Sequence, residues 1–127
     1  MNRKILKKYL WRDRPRLCDI CGEPMRVCDM HESIVRRGVA QGWPLKRRSD
    51  IFVPENCHLL HPKCHSDAHA NPELMVAIQM LRYGREKIQE WIDSLPFRAT
   101  FYWDRGLGMR DAYELVEAHT PWILEEL

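Results

Sequence analysis

The sequence predicts a small α+β domain, with a two-stranded core braced by a cysteine-rich knuckle and flanked by an N-terminal helix and C-terminal helices. Three observations predict it. At 127 residues, 45% of them apolar, the chain has the core of one domain. Two pairs at two-residue spacing, Cys18-x-x-Cys21 and His61-x-x-Cys64, bracket its middle. Helical periodicity is confined to the two ends. The expected organisation is a basic helical segment over 1–17, a knuckle-and-ribbon unit over 18–70, and a helical extension over 71–127 that packs on it.

Taken in order, Ile5, Leu6, Tyr9 and Leu10 stand at near-helical spacing among lysines, which predicts an amphipathic helix over 2–12, ended by Pro15. Cys18-Asp19-Ile20-Cys21-Gly22 reads as a tight turn, with Gly22 letting the backbone come close to a bound ion. Residues 25–34 lack helical period and read as a strand. Residues 35–54, with Arg36-Arg37-Gly38, Gly42-Trp43-Pro44 and Lys46-Arg47-Arg48, read as a long surface loop. A second strand fits 57–60, and Pro62 can open a helix because its missing N–H costs nothing in a first turn. Asn71 is a cap for a helix over 72–82. Gly84 separates that helix from another over 85–94, which Pro96 stops. Residues 97–107 read as an irregular or extended connector, and a last helix over 109–118 and a turn from Pro121 close the chain.

Composition excludes several classes. No run approaches the roughly 18 apolar residues of a membrane span, and no apolar core follows the basic N-terminus as in a signal peptide. Five tryptophans and regular aliphatics argue against disorder. The expected compartment is the cytoplasm. The net charge of +2 is unevenly placed: residues 1–70 hold 14 Lys+Arg against 8 Asp+Glu, residues 71–127 hold 6 against 10. That asymmetry fits one polyanion-facing side.

Five cysteines in a chain without an export signal favour metal ligation over a disulfide framework. Tetrahedral zinc needs four soft or borderline donors converging from two turns, which Cys18, Cys21, His61 and Cys64 supply. His58 competes with His61 for the fourth place but lacks the regular spacing. Such a closed site holds a fold together without chemistry. Cys28 and Cys57 fall on the expected strands and read as core. A second group follows: His31 on the first strand, Asn56 before the second, then His65 and His69, whose i, i+4 spacing puts both imidazoles on one helix face.

These residues, Cys18-x-x-Cys21, His31, and Asn56-Cys-His-Leu-Leu-His61-x-x-Cys64-His65-x-x-x-His69, resemble the motif of the HNH endonuclease family over roughly residues 18–70. The resemblance implies a ββα-metal finger, in which a two-stranded ribbon and a helix grip one catalytic divalent cation and a zinc site clamps the finger. It makes Asn56 the central residue that orients a loop or the catalytic histidine, His65 and His69 helix-borne ligands of the catalytic divalent ion, and Cys18, Cys21, His61 and Cys64 the zinc ligands, with His61 where cysteine is usual. The family's adjacent ligand–base pair is altered here to Met30-His31-Glu32. Either His31 is the general base, or His31 is a ligand and Glu32 takes the base position. Asp29, on the strand face of His31, can supply a carboxylate ligand.

The implied activity is hydrolysis of DNA phosphodiester bonds with Mg2+, Mn2+ or another divalent ion, structural Zn2+ being separate. With His31 as base, activity should fall below about pH 6.5. Arg36, Arg37, Lys46, Arg47 and Arg48 are the expected DNA contacts, with Trp43 packing or inserting nearby. The biological settings open to such a finger include phage or mobile-element DNA processing, restriction and defence, alone or within a larger DNA-processing complex. The alternative is a zinc-stabilised DNA-binding or protein-docking module without catalysis.

Overall fold

The computed structural model describes residues 2–97 and 101–127, with the backbone alone for residues 101 and 102. Helix α1 spans Arg3–Asp13. Asn2 caps it, its Oδ1 accepting from the Ile5 N–H at 2.9 Å. Its buried stripe is Leu6 and Leu10, one turn apart. The chain then forms the knuckle, a bridge between Leu17 and Pro24 closing a turn in which Gly22 N–H bonds Cys18 O.

Two short strands follow, β1 (Asp29–Glu32) and β2 (Cys57–Leu60), paired antiparallel with Asp29 opposite Leu60 and His31 opposite His58. The expected strand over 25–34 is thus only four residues long. Residues 25–28 instead lead out of the knuckle, Met25 N–H bonding Arg16 O. The segment between the strands is not an open loop. It holds the short helix α2 (Arg37–Ala40) and 3-10 turns over Leu45–Ile51 and Pro54–Asn56. Trp43 is the reason for this compaction: it is buried, 6.2 Å from Phe97 between ring centroids, so it anchors the segment to the core and is not free to insert into a ligand.

A 3-10 turn at Pro62–Cys64 runs into α3 (His65–Ala70). Helix α4 (Pro72–Tyr83) is the central beam, burying Met75, Val76, Ile78 and Met80. Each such side chain contributes about 1.5–3 kcal/mol by leaving water. Asn71 stands at the start of α4 but makes no capping bond there; its Nδ2 donates to Asp67 O, closing α3. Gly84, at φ +84°, turns the chain into α5 (Arg85–Asp93). The expected connector over 97–107 contains a helical turn, α6 (Phe101–Asp104), and residues 98–100 of it lie outside the described residues. Trp103 is buried there, its Nε1 donating to Gln89. Helix α7 (Met109–His119) packs along α4, and α8 (Trp122–Glu125) lies against the knuckle.

One apolar cluster takes residues from α1, both strands, α4, α5, α7 and α8. The helical extension therefore completes the core around the ribbon. Among the described residues no helix is long and apolar enough to cross a membrane.

Candidate metal centres

Cys18, Cys21, His61 and Cys64 bring one ligand atom each to within 4.8 Å of one another. The knuckle places the first two, and the turn after β2 places the others. Asp19 N–H bonds Leu59 O and ties the two halves. His61 N–H donates to Cys18 Sγ at 3.3 Å, the backbone-to-sulfur contact that stabilises a thiolate. His61 also has its tautomer set: Nε2 lies 3.1 Å from Pro24 O, which can only accept, so its lone pair is at Nδ1, 3.2 Å from Cys21 Sγ. Burial and the neighbouring sulfurs push the Cys64 thiol up to about 12. A soft cation relieves that crowding by taking the thiolate form. Two sulfurs alone would fit several ions; three sulfurs and one imidazole in a closed turn fit zinc.

Gly22, at φ +75°, has a second reason to be glycine. A Cβ there would lie 2.6 Å from Cδ2 of Trp122, so α8 can press its indole onto the knuckle only because this position has no side chain.

The second cluster is His31, His65 and His69, whose ligand atoms also lie within 4.8 Å of one another. Strand β1 supplies the first imidazole and one face of α3 the others. The rings of His65 and His69 are stacked 5.0 Å apart, and both meet His31 edge-on. Asp29, expected as a ligand, is not part of this group. Its Oδ2 accepts from His65 Nδ1 at 3.1 Å, which leaves the His65 lone pair at Nε2, 3.3 Å from His31 Nδ1. Asp29 thus orients the His65 ring from behind. His31 is buried, and its Nε2 has no hydrogen-bond partner among the described residues. Burial, then the charges of His58, His69, His65 and Arg36, push its pKa down to about 2. The ring is neutral and offers a lone pair. His69 is pushed down as well, by burial and by Arg36. Arg36 Nη1 lies 3.1 Å from His69 Nδ1, so the guanidinium holds the lone pair that a cation would take.

The cluster opens into a cleft of about 450 Å³ bordered by Arg3, Glu32, Arg36 and Arg37 as well as the histidines. Glu32 reaches it from the end of β1, its Oε1 3.1 Å from Arg3 Nε. Arg3 also donates to Met30 O at 2.8 Å, which fixes the start of α1 against β1.

Asn56 is fully buried and clamps the inter-strand segment. Its Oδ1 accepts from Ile34 N–H and Val35 N–H, and its Nδ2 donates to Val35 O and Ile51 O. It touches the backbone that carries β1 onward, so it positions the site and does not face it.

The expected basic contacts divide. Arg36 and Arg37 border the cleft. Arg47 is tied to Asp50 at 2.6 Å and to Ser94 O, and Arg48 donates to Trp43 O. Lys46 is exposed. Arg47 and Arg48 therefore also brace the segment, Arg48 from an exposed position.

Arg3, far from the motif in sequence, also borders the cleft. His58, considered as a zinc ligand, is instead a core residue, with Nδ1 2.9 Å from Asp19 Oδ2 and Nε2 2.8 Å from Ser33 Oγ. Arg82 closes on both Asp19 oxygens at 2.8 Å and also pairs with Glu126. This Ser–His–Asp order looks nucleophilic, but all three residues are buried, so no substrate reaches the hydroxyl. No protein-family model, curated protein or solved structure matches the chain.

Proposed function

We propose that the protein is a divalent-metal-dependent nuclease of the HNH type that hydrolyses DNA phosphodiester bonds, clamped by a structural zinc ion at Cys18, Cys21, His61 and Cys64. The observation that carries this reading is the convergence of His31, His65 and His69 in a cleft edged by arginines.

A borderline divalent ion held by these imidazoles would supply Lewis-acid stabilisation of a phosphate's developing charge. The orphaned Nε2 of buried His31 supports a donor role. That role favours the ligand assignment for His31 over the base assignment, since its ring is buried and meets both other imidazoles edge-on. Glu32 then stands in the base position, where its carboxylate can accept the proton of an attacking water. Arg3 orients Glu32 and places positive charge at the cleft, and Arg37 adds phosphate attraction from α2. Arg36 would have to release His69 Nδ1 before an ion could take that lone pair, and it stands at the cleft where a phosphate would sit. An activity limb near pH 6.5 from His31 is not expected on this reading.

The test is nicking of supercoiled plasmid by zinc-retaining protein given Mg2+, Mn2+ or Ni2+, beside His65→Ala and Glu32→Gln. Nicking by wild type and at least a hundredfold less by both variants supports the assignment. Equal cutting by wild type and His65→Ala, or none by wild type with any ion, overturns it.

A further inference from the structure

A groove apart from both metal clusters runs along α1. Lys4, Lys7, Lys8 and Trp11 form one stripe of the helix, and Arg26, Val27 and Cys28, on the chain leaving the knuckle, form the facing wall. The space between them is about 380 Å³. Four cations border it and no carboxylate does. Its walls are apolar: the Trp11 indole, the lysine stems, and Val27, which is 67% exposed. Burial and the neighbouring Asp29 carboxylate push the Cys28 thiol up despite the charge of Lys7, so it adds a neutral wall. The indole is held in place on one side, with the Arg16 guanidinium 4.7 Å from its centroid and Arg16 Nε donating to Trp11 O.

An apolar slot rimmed by cations suits a ligand with a flat, weakly polar body and flanking anions. A solvated lysine patch would have no such slot, and a purely apolar ligand would leave four charges uncompensated. From Lys4 to Trp11 the helix rises about 10 Å, the advance of roughly three nucleotides along one strand. The groove and the cleft are separate, but both border the start of α1, Lys4 lining the groove and Arg3 the cleft.

We infer that this groove binds a single-stranded nucleic-acid segment, Trp11 stacking one unpaired base while Lys4, Lys7, Lys8 and Arg26 take the adjoining phosphates. It rests on the nuclease reading for its biological sense, since it would lead a strand away from the cut phosphate. Its binding chemistry is independent of cleavage.

The experiment is fluorescence anisotropy of a labelled twelve-nucleotide DNA strand of mixed sequence, titrated with full-length, zinc-retaining protein without added divalent ion. Trp11→Ala should weaken binding about tenfold without changing the salt slope, and Trp11→Phe should restore most of the loss. Lys4→Gln/Lys8→Gln, both at exposed positions, should lower the slope of log affinity against log salt by about 1.4. Circular dichroism melts identify any variant that has lost its fold, and the exposed lysine pair then decides the matter. The inference is overturned if the lysine pair leaves the slope unchanged, if an abasic strand binds as tightly as the normal one, or if polyglutamate of equal charge competes equally, which would mark an acidic-peptide site. Loss of binding in the groove variants together with no plasmid nicking by wild type would uphold the groove and remove the nuclease.

Discussion

Asp29 stands behind His65, its Oδ2 3.1 Å from His65 Nδ1, and so decides which nitrogen of that ring faces the histidine cluster. Both side chains are partly exposed, so the contact contributes little to stability by itself. Its effect is on the site. Asp29→Ala should leave the melting temperature within a few degrees of wild type and weaken Mn2+ or Ni2+ binding by roughly 10–100-fold in titration calorimetry. Asp29→Asn, whose amide oxygen can still accept, should recover part of that loss. An unchanged affinity in Asp29→Ala would detach the carboxylate from the site.

Removal of the zinc ion should unfold much more than the knuckle. Cys18 and Cys64 are buried, and the knuckle is tied to β2 through Asp19 N–H and to α8 through Trp122. Purified protein should carry one tightly held zinc by elemental analysis. Chelation, or Cys64→Ser, should lower the thermal midpoint by more than about 10 °C, as loss of several kcal/mol requires in a domain of this size. A chelated protein that melts as before would mean that the thiols alone suffice.

Asn56→Ala tests the clamp between the strands. Four backbone groups, Ile34 N–H, Val35 N–H, Val35 O and Ile51 O, lose their partner inside the protein. At about 1–3 kcal/mol for each group left unsatisfied, partly relieved by entering water, the expected cost is on the order of 4 kcal/mol in urea unfolding. A cost under about 1 kcal/mol would show that the segment repacks without it.

The two clusters of candidate donors were legible because spacing is local: two x-x pairs and an i, i+4 histidine pair give neighbouring side chains before any tertiary structure is known. The second strand and the helices α4, α5 and α7 were legible for the same reason, their apolar period being local. Other features depend on chain reversals that no local pattern records. Asp29 and His65 are 36 positions apart, and so the difference between a ligand and its orienting carboxylate appears only after folding. Arg47 and Arg48 stand in a basic run, and only the fold shows that Asp50, Ser94 O and Trp43 O also hold them. Trp43 lies among glycine, proline and cations, which masks a core residue.

Stability should depend on pH through His58. Burial pushes its pKa from the ordinary 6.5 down to about 4, the bond to Asp19 restoring part of the shift. Between those values the unfolded chain binds a proton that the native protein refuses, so stability falls as the pH drops from 6.5 to 4, and this contribution is level above 6.5. The accumulated loss is on the order of 3 kcal/mol. Urea midpoints measured from pH 8 to pH 5 should decline only below 6.5, and His58→Gln should show a shallower decline than wild type. Equal slopes in the two proteins would assign the acid sensitivity to other groups.

Arg82 is the counter-charge on which that buried network depends. Burial alone would raise the Asp19 pKa, but the Arg82 charge and the hydrogen bonds from Arg82 and His58 overcome it and hold the carboxyl below its usual range. Removing Arg82 leaves a buried carboxylate with only a neutral imidazole beside it. Breaking one side of such a pair costs about 3–5 kcal/mol, much more than an exposed ion pair would. Arg82→Met, which keeps the aliphatic stem, should therefore lower stability by about 4 kcal/mol. The double variant Asp19→Asn/Arg82→Met should recover a substantial part, because the uncompensated charge is gone while His58 Nδ1 keeps an acceptor. If the double variant were as unstable as the single one, the bonds of Arg82 to Glu126 and Gln79, and not charge compensation at Asp19, would be what holds α4 and the C-terminal turn together.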